Sequence, residues 1–301
     1  MQRVSNIVPL ALLAGLPLCS ADAPSPFSGR WDLTITASQG AYPSWMEFSG
    51  DPGKPSVRFV GRSGSVHAVR DPKVEGSLLT FEDPPSRPWR ITIKDHQLTG
   101  QSPDGPVTGV PAPALDHKPP VSWSAPEPLF NGRDLSGWTP DNPAANHWIA
   151  ASGELQNAAA GANIRTTRQF GDFKLHIEYN CPPGGNSGVY LRGRYEVQVE
   201  YEPPAKNDAF HAMGSIYGFI APAAPVAPRP GQWESYDVTL VGRTVTVVRD
   251  GVLIIDNKPI PGITGGAIDS REGEPGPIYL QGDHSGGLKY RNIAVSEAVN
   301  R

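Results

Sequence analysis

Cysteine, long apolar runs and helical periodicity are all scarce in this chain, and each scarcity excludes something. Two cysteines in 301 residues cannot build the disulfide framework on which small secreted scaffolds depend. Beyond the N-terminal segment no apolar run approaches the roughly 20 residues that a membrane-spanning helix needs. The net charge of −4, with 19% charged residues, leaves no basic footprint for nucleic acid. No long stretch repeats apolar residues with the helical period. What abounds instead is glycine and proline, 33 of each, which favours short strands joined by turns. A chain of this length has room for two domains, each with its own core.

The N-terminus has the layout of an export signal. Arg3 supplies the positive charge, Ile7 to Leu18 an apolar stretch, and Ala21–Asp22–Ala23 a small-x-small cleavage site. The expectation is a signal peptide over residues 1–23 and a periplasmic or extracellular protein. Leu18 stands where a lipoprotein signal wants a small residue, which disfavours anchoring through Cys19. Cleavage after Ala23 leaves Cys181 alone, a small packing residue after an apparent strand.

Residues 24–102 read as a small all-β domain, an antiparallel meander or barrel. Trp31–Thr36, Trp45–Phe48, Val57–Val60, Leu78–Phe81 and Trp89–Ile93 are rich in aromatic and β-branched residues and bounded by Gly, Pro, Asp or Ser. His67 and His96 lie here without a second ligand at metal spacing. Residues 103–128 hold eight prolines and read as a semi-extended linker. Residues 129–299 then supply about a dozen strand candidates and an Asp250–Gly251 hairpin signal, the pattern of a two-sheet jelly-roll sandwich. Gly214–Ile220 is among those strand candidates, whereas Asn207–Phe210 is compatible with a loop or one helical turn.

Chemistry concentrates around a glycine-rich turn, Gly184–Gly185–Asn186–Ser187–Gly188, and the two strands beyond it. Alternation puts Glu196, Gln198 and Glu200 on one face and Val197 and Val199 on the other. Tyr190 and Arg192 stand in the same relation to Val189 and Leu191. Such a polar row is either a solvated outer face or the lining of a sugar groove. The row Glu-x-Gln-x-Glu has the spacing of the carboxylate row of laminarinase-type glycosidases, whose middle residue is Asp. Retaining hydrolysis wants two carboxyl groups roughly 5–5.5 Å apart, whereas residues i and i+4 of a strand lie roughly 13 Å apart. Gln198 cannot supply the missing carboxylate, so ordinary retaining hydrolysis is disfavoured.

The stretch Leu129–Phe130–Asn131–Gly132–Arg133–Asp134–Leu135–Ser136–Gly137–Trp138 resembles the opening of the 3-keto-disaccharide hydrolase family. The likeness continues through Gly171–Asp172–Phe173, Asn186 to Arg192, Tyr195 to Gln198, Gly231–Gln232–Trp233, Ile278 to His284 and Tyr290 to Ile293. It covers residues 128–298 and none of the first domain. Glu234 departs from it, since the family usually carries Asn after the Trp.

The resemblance implies a concanavalin-like sandwich and cleavage of glycosides already oxidised at C3. A C3 ketone acidifies the C2 proton, so a base removes it, the C1 substituent leaves, and water adds to the enone. One general base and a charge-stabilising partner suffice. The matching positions make Glu196, His284 and Arg192 the catalytic candidates, and Tyr190, Gln198, Gln281, Asn186, Tyr217 and Glu178 the substrate-binding ones. Glu196 and His284 could together ligate a divalent metal; no organic cofactor is implied. His211 could close over a sugar or simply be a solvated loop residue. A non-catalytic glycan-binding module of the same fold is the alternative, because fold does not fix function. The expected partner in every case is a saccharide.

Overall fold

The computed structural model describes residues 25–51, 53–201, 208–284 and 286–299. The expected signal peptide and Cys19 lie outside the described residues. The rest is almost entirely β-structure, interrupted by two 3-10 turns at Pro143–Ala145 and Ala209–His211. Among the described residues no helix is long and apolar enough to cross a membrane.

The first domain is one nine-stranded antiparallel sheet that nearly closes into a barrel. Its first strand, Gly29–Ala37, pairs with Gly40–Asp51 on one side and with Gly105–Pro111 on the other. The two ends of the sheet approach each other where Lys54–Val60 meets Arg70–Glu75. Alternation fills the inside with Trp31, Leu33, Ile35, Phe48, Phe59, Leu79, Trp89 and Ile91, all buried.

That closing strand corrects the expected linker. Gly105–Pro111 belongs to the barrel, and its two prolines sit at or next to the strand ends, where a missing amide costs little. Val107 is inward and buried while Thr108 is exposed, an alternation that proline density concealed. Ser122–Trp123 and Glu127–Pro128 are strands too, and both pair with Leu288–Val299.

The second domain is a sandwich of two sheets. The larger runs in the order Trp148–Ala151, Glu154–Asn157, Leu288–Val299, Phe173–Asn180, Trp233–Val241, Thr244–Arg249, Val252–Pro259. The smaller runs Trp138–Pro140, Ile164–Thr166, Tyr279–Leu280, Asn186–Leu191, Tyr195–Glu200. Between them Leu175, Ile177, Val189, Val197, Val199, Val238, Leu240 and Ile293 are packed out of contact with water. Burying each such side chain stabilises the fold by about 1.5–3 kcal/mol before entropy is counted. The outer positions of Phe173–Asn180 (Lys174, His176, Glu178 and Asn180) remain partly or fully exposed, the expected division of a sandwich face.

One strand expectation fails. Gly214–Ile220 forms turns, tied to the sheet by an isolated bridge from Ile216 to Val197 and by the Gly214 amide donating to the Gln198 carbonyl at 2.9 Å. Its aromatic and β-branched content is used to pack loops over the smaller sheet.

The two domains share a core. Trp45 and Val60 of the barrel are buried in the same apolar cluster as the sandwich interior, and the Trp45 ring meets Phe219 edge-on at 5.4 Å. Arg30 donates across the junction to the Pro261 carbonyl at 3.1 Å. Asp32 is buried there beside Glu272; burial first, then that second carboxylate, raises its pKa.

Candidate active site

The smaller sheet carries the site. Antiparallel register puts Tyr190 opposite Glu196, Gly188 opposite Gln198 and Asn186 opposite Glu200. Because the pairing keeps side chains of opposed residues on one face, the polar row of one strand meets the glycine-containing row of the other. Nearly every residue of both strands is buried, on both faces. The polar row is therefore not a solvated exterior. It floors a cleft of about 1330 Å³, ample for a saccharide.

Glu196 is 3% exposed, and its carboxyl accepts a hydrogen bond from the Tyr190 phenol at 2.9 Å. Burial pushes its pKa up to about 8, against the opposing pull of that phenol and of His284. The Tyr190 hydroxyl also lies 2.9 Å from the Gly265 carbonyl. One phenolic proton thus faces two acceptors. When Glu196 is protonated, the chain carboxyl to phenol to carbonyl is fully satisfied. When it is ionised, the phenol turns to the carboxylate and the carbonyl loses its donor.

Gly188 explains how a carboxyl fits here. A Cβ on Gly188 would lie 2.1 Å from Oε1 of Glu196, so the bare backbone provides the space into which the acid leans. Gln198 is 2% exposed, and its amide donates to Glu200 at 2.7 Å while its Oε1 is buried without a protein partner. An acceptor left in that state costs free energy unless something donates to it. A sugar hydroxyl would do so.

Gln281 also lines the cleft; its backbone is tied to the floor by N–H to Gly188 O at 3.0 Å and by Ser187 Oγ to its carbonyl at 2.6 Å. Asp283 and His284 stand on the same wall, the His284 Nδ1 within 2.6 Å of Asp283. Tyr217, also in the lining, lies edge-on to His211 at 4.8 Å, and His211 Nδ1 meets Asp208 at 3.0 Å. Burial raises the Tyr217 pKa, with the Glu196 charge adding to it. Among the described residues no three His, Cys, Asp or Glu are gathered to hold a metal ion. Glu196 and His284 share the cleft as a pair of donors, which falls short of a ligand set.

Of the expected site residues, the cleft gathers Glu196, His284, Tyr190, Gln198, Gln281, Asn186 and Tyr217. Two expectations are corrected. Arg192 does not reach the cleft. The strand ends at Leu191, and Arg192 turns away in a left-handed conformation (φ 52°). Its buried guanidinium donates instead to the Gly242 carbonyl at 2.7 Å and to the Tyr195 hydroxyl at 3.2 Å. Strict alternation does not extend through a turn. Glu178 lies on the outer face of the larger sheet, bound by Arg291 at 2.6 Å and Asn292 at 2.8 Å.

Three groups in the cleft were missed. Arg249 shares the inward face of Val245 and Val247, and a charge on such a face was a readable signal. Its guanidinium is bound by Glu234 at 2.9 Å and reaches the Tyr201 hydroxyl at 2.7 Å, so the Glu234 departure builds a buried ion pair at one end of the cleft. Gly265 and Gly266 form part of the wall beside Tyr190. Ser63, Gly64 and Ser65 come from the barrel, and nothing local in the sequence connects them to this place.

Residues 125–296 match the family described as the 3-keto-alpha-glucoside-1,2-lyase-like domain. The chain belongs to this family. The chain is similar to a crystal structure of a presumed glycosyl hydrolase from Parabacteroides distasonis, at 29% identity over 60% of this chain and 92% of the other, with a TM-score of 0.48. A second Parabacteroides distasonis structure of the same description matches at 22% identity over 57% of this chain and 98% of the other, TM-score 0.44. An endo-beta-1,3(4)-glucanase of family GH16 follows at 10% identity, 61% and 96% coverage and TM-score 0.36. No curated protein matches. Membership of this family indicates a carbohydrate-active protein with a saccharide partner.

Proposed function

We propose that the protein is an exported enzyme that cleaves 3-keto-glycosides by elimination and hydration. The observation that carries the reading is the buried carboxyl of Glu196 on the cleft floor, seated over Gly188, held by Tyr190 and raised toward neutral pH. A general base works best when its pKa lies near the working pH. The neighbour two residues on is the amide Gln198, so the row offers no acid and nucleophile pair at adjacent same-face positions.

In this mechanism the Glu196 carboxylate takes the C2 proton, and the electron pair passes to the C3 oxygen as an enolate. Tyr217, which lines the same cleft, would donate toward that oxygen. The enolate re-forms the ketone as the C1–O bond breaks; the bonding pair leaves with the departing alcohol oxygen, which picks up a proton. Water then adds to C1 of the enone, its released proton making good the one the alcohol took up, and C2 regains a proton from Glu196. The sum is hydrolysis. Gln198 and Asn186 would hold sugar hydroxyls along the floor.

The test is incubation of the purified protein with a nitrophenyl 3-keto-glucoside and with the same glucoside unoxidised, following release of nitrophenol. Release from the keto form alone supports the reading. Binding of intact saccharide without turnover of any keto-glycoside would establish the alternative, a glycan-binding module.

A further inference from the structure

The barrel has no counterpart in the matched family segment, which begins at residue 125. Yet its chain between Gly61 and Val66 comes down onto the catalytic wall of the sandwich. The Gly266 amide donates to the Arg62 carbonyl at 3.1 Å. Gly265 lies so close to Gly64 that a Cβ on Gly265 would fall 2.1 Å from the Gly64 carbonyl oxygen. A Cβ on Gly218 would fall 2.7 Å from the Ser65 Cβ. These approaches require glycine or a displaced loop, so the seat is shaped for this loop.

The loop cannot swing freely. Trp45 and Val60 behind it are completely buried in the sandwich core, and a Cβ on Gly262 would meet Trp45 Nε1 at 2.1 Å. Its contact residue Gly265 is also the one whose carbonyl takes the Tyr190 phenol. The barrel therefore abuts the hydrogen-bond chain that ends on Glu196. On the open side, exposed Ser63 and half-buried Ser65 present small hydroxyl side chains among the cleft lining.

We infer that the barrel is part of the saccharide site, with Ser63 and Ser65 as specificity-determining residues that bind hydroxyls of the sugar lying beside Glu196. The inference rests on the proposed reading for its reaction but not for its binding. A neutral hydrogen bond lost from a bound sugar weakens affinity roughly three- to tenfold. In the full-length protein, Ser63→Ala and Ser65→Ala should each raise KM for the nitrophenyl 3-keto-glucoside by about that factor, with kcat within twofold. Ser63→Trp, on an exposed position, should block the wall and raise KM further, with the melting temperature unchanged. If all three variants keep the wild-type KM, the inference is overturned. If the wild type turns over no keto-glycoside, the same variants are compared by calorimetry with cellobiose and trehalose. Weaker binding in the variants then supports the inference while the catalytic reading fails. Unchanged binding, or a wild type that binds neither sugar, overturns it.

Discussion

The carboxyl of Glu196 occupies the space that a side chain on Gly188 would fill, two positions along the facing strand from its own register partner Tyr190. Strand pairing thus delivers both halves of the arrangement: a phenol to hold the acid and a vacancy to receive it. Gly188→Ala removes the vacancy. Because both strands are buried, relief must come from the acid itself, and overpacking of this kind costs about 1–3 kcal/mol. The expected result is a moderate drop in melting temperature with a loss of turnover out of proportion to it, measured on the keto-glucoside.

Replacing the acid tests its role directly. Glu196→Gln keeps the shape and removes the base, so kcat should fall by about two to four orders of magnitude while saccharide binding persists. Full activity in this variant would remove Glu196 from the mechanism.

The same substitution has a predictable effect on stability. The folded pKa of Glu196, about 8, lies above its ordinary value of 4.5, so the folded state holds a proton that the unfolded state has released. Stability is fully present below about pH 4.5 and is lost as pH rises from there to about 8. Above that range Glu196→Gln should be the more stable protein, by about 5 kcal/mol. Chemical denaturation at pH 5 and pH 9 measures the difference.

Turnover should run the other way with pH. Only ionised Glu196 can take the C2 proton, so kcat/KM should climb through neutrality and level off above about pH 8. An acidic limb near pH 4.5 would mean that the acting base is a solvated carboxylate and not this one.

Tyr190→Phe separates positioning from chemistry. The phenol holds the Glu196 pKa down, and without it the pKa should rise further, carrying the pH profile of kcat/KM to higher pH. The Gly265 carbonyl also loses a donor, for a stability cost of about 1–3 kcal/mol. A purely structural tyrosine would lower stability and leave the pH profile in place.

Much of the sandwich was readable because its cause is local. Alternation in Phe173–Asn180 and Tyr195–Glu200 assigns each side chain to a face, and the structure keeps those faces. What alternation cannot reveal is whether a polar face is wet. Glu196 and Glu178 look alike in sequence; one lies under loops in a cleft, the other pairs with Arg291 on the outside. The turn at Arg192 defeated the pattern because Arg192 and Gly193 are both left-handed, which ends the strand at Leu191 and the alternation with it. The barrel strand Gly105–Pro111 was hidden by its prolines, and Ser63 and Ser65 were invisible because domain docking, not sequence proximity, brings them to the cleft.

The strand Leu288–Val299 lies inside the larger sheet, between Glu154–Asn157 and Phe173–Asn180, and also takes up Ser122–Trp123 and Glu127–Pro128. In chain order it is the last strand of the sandwich, yet it joins the first pieces of that domain to its middle. Until it is in place, Glu154–Asn157 and Phe173–Asn180 lack their common neighbour. The barrel closes over a shorter span, from Gly29–Ala37 to Gly105–Pro111. Closing the barrel thus spans far less chain than joining Ser122–Trp123 to Leu288–Val299, so the sandwich carries the larger loop-closure cost.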